Sequence, residues 1–238
     1  EEIPRANWNC AGIVYVHKEV GMKKLLAVGL ALALLVPVMA VAEDKAASPK
    51  EFVVFSDKNS KDNHYIPSGW IGDYGDIKMN DRAADNPKSG TTSIQFIYSA
   101  KKTQGQDWAG VYWQSSANNW GNKKGGFDLS GMTKLTFWAR GAKGGEVIQK
   151  IMVGGIKGTY PDTAAVEMGP IELTDSWKQY TVNLAGRDLS YINGGFGWTT
   201  TADLNPDGAT FYIDDIKFEV DPAVKPEGKK QESMPFYI

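Results

Sequence analysis

The chain holds one cysteine and two histidines in 238 residues, and these scarcities remove whole classes of chemistry. A lone Cys10 forms neither an intrachain disulfide framework nor a thiolate zinc cluster. His17 and His64 leave no set for most histidine-based metal sites. A serine triad would rest on His64 alone, and no G-x-S-x-G elbow occurs. Charge of one sign is missing too. The 26 Lys and Arg stand against 28 Asp and Glu, a formal net of −2, so no concentrated basic face exists for phosphate and no nucleic-acid partner is expected. No apolar run reaches the ~20 residues that span a bilayer, and no segment shows sustained helical periodicity with caps.

The one long apolar stretch, Leu25 to Val38, follows the cationic Met22-Lys23-Lys24 and precedes Ala40-Val41-Ala42. That layout predicts a secretory signal peptide over residues 22–42, removed before Glu43. Residues 1–21 then read as upstream translation or a mis-assigned start, and 43–50 as a short polar leader. The expected product is a secreted monomer, periplasmic or extracellular, with no stable membrane insertion after cleavage. Residues 51–220 are long enough to bury their own core. Residues 221–238, with Pro222, Pro226 and Pro235 among Lys and Glu, read as a solvated tail.

Within 51–220 the pattern is β. Phe52 to Phe55 is a short apolar strand, and Ile94, Phe96 and Tyr98 occupy alternate positions. Leu135, Phe137 and Ala139 alternate with Thr136, Trp138 and Arg140. Tyr180, Val182 and Leu184 alternate with Gln179, Thr181 and Asn183, and Phe211 and Ile213 with Thr210 and Tyr212. Period-2 runs divided by Gly, Asn, Asp and Pro mark strands and turns. The Gly141 to Gly145 stretch is predicted to close a hairpin, its glycines supplying positive φ. Many short strands with Gly-rich turns imply a β-sandwich jelly roll.

All eight tryptophans except Trp8 lie beyond the apolar run. A sugar ring presents an apolar C–H face and a rim of hydroxyls, which flat aromatic rings and Asn, Gln, Asp or Arg complement. A stacked pair is worth about 0.5–1.5 kcal/mol beyond its area, so a bound chain needs two or three platforms. Trp108 to Trp120 is the richest source. On a strand Trp108 and Tyr112 share one side and Trp113 takes the other; one row belongs to the core and the other faces out. Asn119 stands beside them as a hydrogen-bonding group, and Trp120 lies in a polar loop. Trp138 and Arg140 point away from the core row of their strand, and Arg140 is placed to pair with Glu146. Trp70 and Trp198 are balanced between core and site, while Trp177 reads as packing. Catalysis would have to come from carboxylates such as Glu146, Asp162, Glu167 and Glu172.

Five segments carry a resemblance. They are Gly126-Phe127-Asp128-Leu129-Ser130-Gly131, Leu135-Thr136-Phe137-Trp138-Ala139-Arg140-Gly141, Trp177 to Leu184, Gly194-Gly195-Phe196-Gly197-Trp198, and Phe211-Tyr212-Ile213-Asp214-Asp215-Ile216. In this order, from about Phe52 to Val220, the chain resembles the galactose-binding-like jelly rolls of bacterial carbohydrate-binding modules. Pro67-Ser68-Gly69-Trp70, Trp108 to Trp113 and Asn119-Trp120-Gly121 add a narrower likeness to secreted bacterial proteins without an assigned function. The resemblance implies a non-catalytic partner role toward polysaccharide or oligosaccharide. It also implies a structural calcium ion between the first strand region and the last, with Asp57 and either Asp214 or Asp215 as its counterparts here, since adjacent carboxylates on a strand point to opposite faces. A carboxylate glycoside hydrolase or lyase and a surface-associated interaction protein are the rival expectations. The E-x-D-x-x-E arrangement of jelly-roll glucanases is absent.

Overall fold

The computed structural model describes residues 51–224; the expected signal peptide, the expected leader and most of the expected tail lie outside the described residues. Thirteen strands follow in chain order: β1 (Glu51–Phe55), β2 (Ile66–Gly72), β3 (Ile77–Ala83), β4 (Ser93–Tyr98), β5 (Trp108–Gln114), β6 (Lys134–Gly141), β7 (Val147–Ile148), β8 (Lys150–Gly154), β9 (Ala165–Met168), β10 (Ile171–Glu172), β11 (Lys178–Asn183), β12 (Gly194–Thr201) and β13 (Ala209–Glu219). The first sheet runs β11-β6-β13-β4-β3, with β1 continuing the β4 side of β13, and the second runs β2-β5-β12-β8-β9. All these pairings are antiparallel. The chain crosses between sheets repeatedly, as a β-sandwich jelly roll does. Among the described residues no helix is long and apolar enough to cross a membrane.

The sheets are joined by interleaved rings. Phe96 and Phe211 of the first sheet meet Trp198 of the second at centroid distances of 4.8 and 4.9 Å, and Phe137 meets Phe196 at 5.4 Å. Trp113 lies between Phe96 and Phe196, and all six rings are buried. Each such side chain contributes about 1.5–3 kcal/mol through burial. The alternation read from the sequence accounts for the first sheet: Ile94, Phe96, Leu135, Phe137, Ala139, Val182, Phe211 and Ile213 all enter the core.

The Gly141 to Gly145 stretch does not close a hairpin. β6 pairs with β11 and β13, while β7 pairs with β10. The loop instead carries the chain out of the first sheet, with Gly144 at φ 84° and Gly145 at φ 89°. Glu146 fastens it by accepting the amides of Ala142 and Lys143 at 2.8 and 3.0 Å. Among the described residues Arg140 and Glu146 form no ion pair, because that carboxylate is already turned into its own loop.

A second clamp sets the start of β5. Asp73 and Asp76 are buried. Asp76 accepts the Lys102 amide at 2.7 Å and the Ser99 hydroxyl at 2.9 Å, and Asp73 accepts the Gln104 and Gln106 amides at 2.6 and 3.2 Å. The Thr103 hydroxyl reaches both carboxylates. Burial pushes the Asp76 carboxyl up, but the hydroxyls of Thr103 and Ser99 and the amides of Lys102 and Lys101 outweigh it and hold the pKa below its usual value. The clamp orders the loop that delivers Trp108 to its strand, and the Asp73 amide donates to the Trp108 carbonyl at 2.8 Å.

Candidate functional site

The outer face of the second sheet is built from cross-strand rows. One row reads Gly69, Tyr112, Gly197, Met152 and Glu167 across β2, β5, β12, β8 and β9. The next reads Ile71, Gly110, Thr199 and Lys150, and the last pairs Trp108 with Thr201. Side chains two apart on a strand share a face, so Trp108, Gly110, Tyr112 and Gln114 look outward while Ala109, Val111 and Trp113 look inward. The sequence left open which aromatic row of β5 is sealed; the structure seals Trp113.

Three rings on this face each lie against a glycine. A Cβ on Gly197 would stand 3.0 Å from the Tyr112 ring and one on Gly69 2.9 Å from Trp120, while one on Gly72, at φ 65°, would meet the Trp108 carbonyl at 2.3 Å and the Trp108 indole at 2.8 Å. The missing side chains let the rings lie down against neighbouring strands instead of standing off them. Tyr112 crosses β12 to reach β8, where its hydroxyl donates to the Gly154 carbonyl at 3.3 Å. Burial, and then the charges of Asp162 and Glu167, push the Tyr112 phenol up to about 12, so it stays a donor. Trp120 meets Tyr112 edge-on at 5.9 Å and keeps 40% of its surface exposed.

Beside these rings runs an open groove of about 660 Å³, lined by Ile71, Trp108, Met152, Thr199, Thr201 and Leu204 with Asp107, Gln149, Lys150 and Asp203. Lys150 is paired with Glu167 at 2.8 Å, which leaves the carboxylates of Asp107 and Asp203 to set the sign of the local field. A lining of Thr with aromatic, aliphatic and polar side chains can hold an extended amphipathic chain.

Of the residues expected from sequence, Trp108, Tyr112 and Trp120 come together here and the others do not. Trp113 and Trp198 have no exposed surface; they fill the space between the sheets and are corrected from site to core. Trp70 pairs with Val111 and packs from the edge against the core, so its ring faces inward. Asn119 is fully buried and acts as a loop staple. Its side chain donates to the Lys123 carbonyl at 3.0 Å and accepts the Gly121 amide at 3.2 Å, while its carbonyl accepts from Gln114 and Asn193. It positions Trp120 and has no group left over for a ligand.

Trp138 and Arg140 lie on the outer face of the other sheet. Arg140 is 7% exposed. Its guanidinium sits 3.8 Å from the Tyr212 ring and 5.3 Å from Trp177 and donates to the Asp85 carbonyl, so it is sealed by its neighbours and is not open to a ligand. Trp138 remains half-buried, with the Lys88 ammonium 4.0 Å from its ring centroid.

Three of the four carboxylates considered for catalysis have separate structural attachments. Asp162 accepts the amides of Ile156, Asn193 and Gly194, Glu167 pairs with Lys150, Glu146 holds its loop, and Glu172 sits on β10.

Asp57 and Asp214 flank the 85–92 loop. One Asp57 oxygen takes the amides and hydroxyls of Thr91 and Thr92. Burial raises the Asp57 carboxyl, and those four donors outweigh it to leave the pKa lowered. Asp214 accepts the amides of Lys88, Ser89 and Asp215. It is fully buried and joins no ion pair among the described residues; burial, then the charge of Asp215, push it up to about 7. Among the described residues no three His, Cys, Asp or Glu are grouped to hold a metal ion. Calcium, which takes six to eight oxygens, would therefore draw most of its shell here from backbone carbonyls.

The glycines and the residues Ile71, Met152, Thr199, Thr201 and Lys150 were missed in the sequence. Their role depends on partners tens of residues away, and no local pattern carries it.

No protein-family model matches the chain, and no curated protein matches its sequence. The fold does match solved structures. A family 30 carbohydrate-binding module aligns at 17% identity over 74% of this chain and 93% of its own, with a TM-score of 0.50. A family 11 carbohydrate-binding module from Clostridium thermocellum, in complex with a β-1,3-1,4-mixed-linked tetrasaccharide, aligns at 13% identity over 71% of this chain and 95% of its own, with a TM-score of 0.50. The chain thus has the β-sandwich fold of carbohydrate-binding modules.

Proposed function

We propose that the protein is a secreted, non-catalytic binder of neutral polysaccharide that holds a glycan chain along the outer face of the second sheet by aromatic stacking. The observation that carries this reading is the set of rings laid on glycines, Trp108 on Gly72, Tyr112 on Gly197 and Trp120 on Gly69. Trp108 and Tyr112 are four residues apart on one strand, about 13 Å along it, so together they address a chain and not a single ring. The fold shared with carbohydrate-binding modules, one of them bound to a mixed-linked tetrasaccharide, supports the same substrate class. Neutrality follows from charge. The groove's one lysine is paired and its free charges are carboxylates, so a polyuronate would be repelled.

The test is electrophoresis through gels containing soluble polysaccharides, among them mixed-linked β-glucan and polygalacturonate. The protein should be retarded by a neutral glucan and not by polygalacturonate. Trp108→Ala and Tyr112→Ala should each weaken binding about 2- to 13-fold, the value of one stacked ring. Release of reducing ends from the retained polysaccharide, or retention unchanged in both variants, refutes the reading.

A structural calcium ion belongs to this proposal, with Asp214, Asp57 and Asp215 as its carboxylates. What supports it is a fully buried Asp214 without a cation partner among the described residues. A chelator should lower the thermal midpoint of the wild type and leave that of Asp214→Asn where it was. An unchanged midpoint with no metal copurifying removes calcium from the account.

A further inference from the structure

The outer face of the first sheet holds a pocket that the groove does not use. It measures about 230 Å³ and is lined by Trp138, Gln179, Asp215, Lys217, Glu51 and Ser56 over the backbone of β1 and β13. Two irregularities shape it. The pairing of β13 with β6 shifts register between Asp214 and Lys217, with Asp215 at φ 46°, and β1 shifts against β13 between Val53 and Phe55. Bulges re-aim side chains and open local concavities in a sheet.

We propose that this pocket is a second sugar site, one that takes a single neutral ring such as a chain end or a branch. The proposal borrows the class of ligand from the carbohydrate reading above. Size sets the occupant. The pocket has about a third of the groove's volume and falls below the ~300 Å³ at which sites for drug-sized ligands begin, so an extended chain does not fit. Chemistry sets the class. Trp138, whose ring also carries the Lys88 ammonium 4.0 Å from its centroid, supplies an aromatic wall, and Gln179, its direct partner on β11, supplies a neutral donor and acceptor at its side.

The lining lysine is committed to carboxylates, and the Asp215 carboxylate to a neutral hydroxyl. Lys217 lies 2.9 Å from Glu51 and 3.1 Å from Glu219, and Asp215 accepts the Ser89 hydroxyl at 2.9 Å. That leaves the Asp215 carboxylate as the lining charge without an ion pair among the described residues, which disfavours an anion, whereas a ring with an apolar face and a hydroxyl rim meets both the indole and the amide. Since the two sites lie on opposite sheets, one molecule bridges two polysaccharide chains.

The experiment uses the full chain labelled with 5-fluorotryptophan, the Trp138 resonance being assigned by its loss in Trp138→Phe. Methyl glycosides of glucose, galactose and mannose are titrated in turn. At least one should shift the Trp138 resonance saturably, and the shift should persist in Tyr112→Ala. Gln179→Ala, an exposed edge-strand change, should weaken that response about 2- to 13-fold, the value of one neutral hydrogen bond, at an unchanged thermal midpoint. A Trp138 resonance unmoved by all three glycosides in a protein still retarded by polysaccharide overturns the second site and leaves the groove standing. A shift that disappears in Tyr112→Ala overturns it too, since one site would then explain both. A saturable shift in a protein that no polysaccharide retards supports the pocket and removes the groove.

Discussion

Adding one methyl group at Gly197 tests the groove without removing any ring. The new Cβ would lie 3.0 Å from two carbons of the Tyr112 ring, where comfortable carbon contacts are about 3.5–4.0 Å. The ring must therefore rise by roughly half an ångström or more. Its hydroxyl already reaches the Gly154 carbonyl at 3.3 Å, so that bond is lost and the ring tilts out of plane with the groove. Gly197→Ala should weaken polysaccharide binding about 2- to 13-fold, the full value of one stacked platform. The core neighbours Phe196 and Trp198 point the other way and are untouched. Alanine in a strand also relieves about 0.5–1 kcal/mol of glycine's entropic cost, so the thermal midpoint should hardly move. Titration calorimetry on Gly197→Ala, Tyr112→Ala and the double variant closes a cycle. In the double variant the glycine change should cost nothing further, because the ring it displaces is gone. An equal additional loss there, or unchanged binding in the single variant, refutes the idea that the glycine serves the ring.

Two more outcomes follow from the core and the clamp. Trp198→Ala should cost about 3–5 kcal/mol of stability in denaturant titration, whereas Trp108→Ala should spare stability and lose binding; the reverse ranking would exchange their roles. Asp76 is held below its usual pKa in the folded state, so its stabilisation is complete above about pH 4 and is lost as pH falls through the lowered folded value. Asp76→Asn should thus be about 1–3 kcal/mol less stable at neutral pH, with the gap to wild type narrowing in acid. A gap constant from pH 7 to pH 2 would place the effect elsewhere than in the carboxylate.

The sequence made β4, β6, β11 and β13 legible because each has one buried and one polar face, so the alternation is visible within the strand itself. β12 was harder. In Gly194-Gly195-Phe196-Gly197-Trp198 the outward Gly197 lies against Tyr112 of β5 and Gly195 against the buried Tyr65, both far away in sequence. β5 was ambiguous in a different way, since rings on both faces give no local sign of which is inside. Trp113 and Trp198 were read as possible platforms on composition; only the packing of two sheets shows them sealed. The Gly141 to Gly145 stretch looked like a hairpin because turn chemistry is local, while the choice of strand partner is not. Asn119 was recognised as a hydrogen-bonding residue in the right loop, but its partners turned out to be backbone groups of the protein itself.

The row Trp108, Gly110, Tyr112 bears on how the protein avoids slippage during folding. Shifting β5 by a single residue would swap its two aromatic rows between interior and solvent, and greasiness alone distinguishes them poorly. Gly110 breaks that near-degeneracy. Turned inward, it would leave a hole where Val111 now stands, a loss of roughly 2 kcal/mol for the missing carbons. In the native arrangement any side chain at that position would strike the Trp198 carbonyl, 2.2 Å from where its first carbon would be. The residue with nothing to contribute to either face is thus what tells the strand which way up to lie.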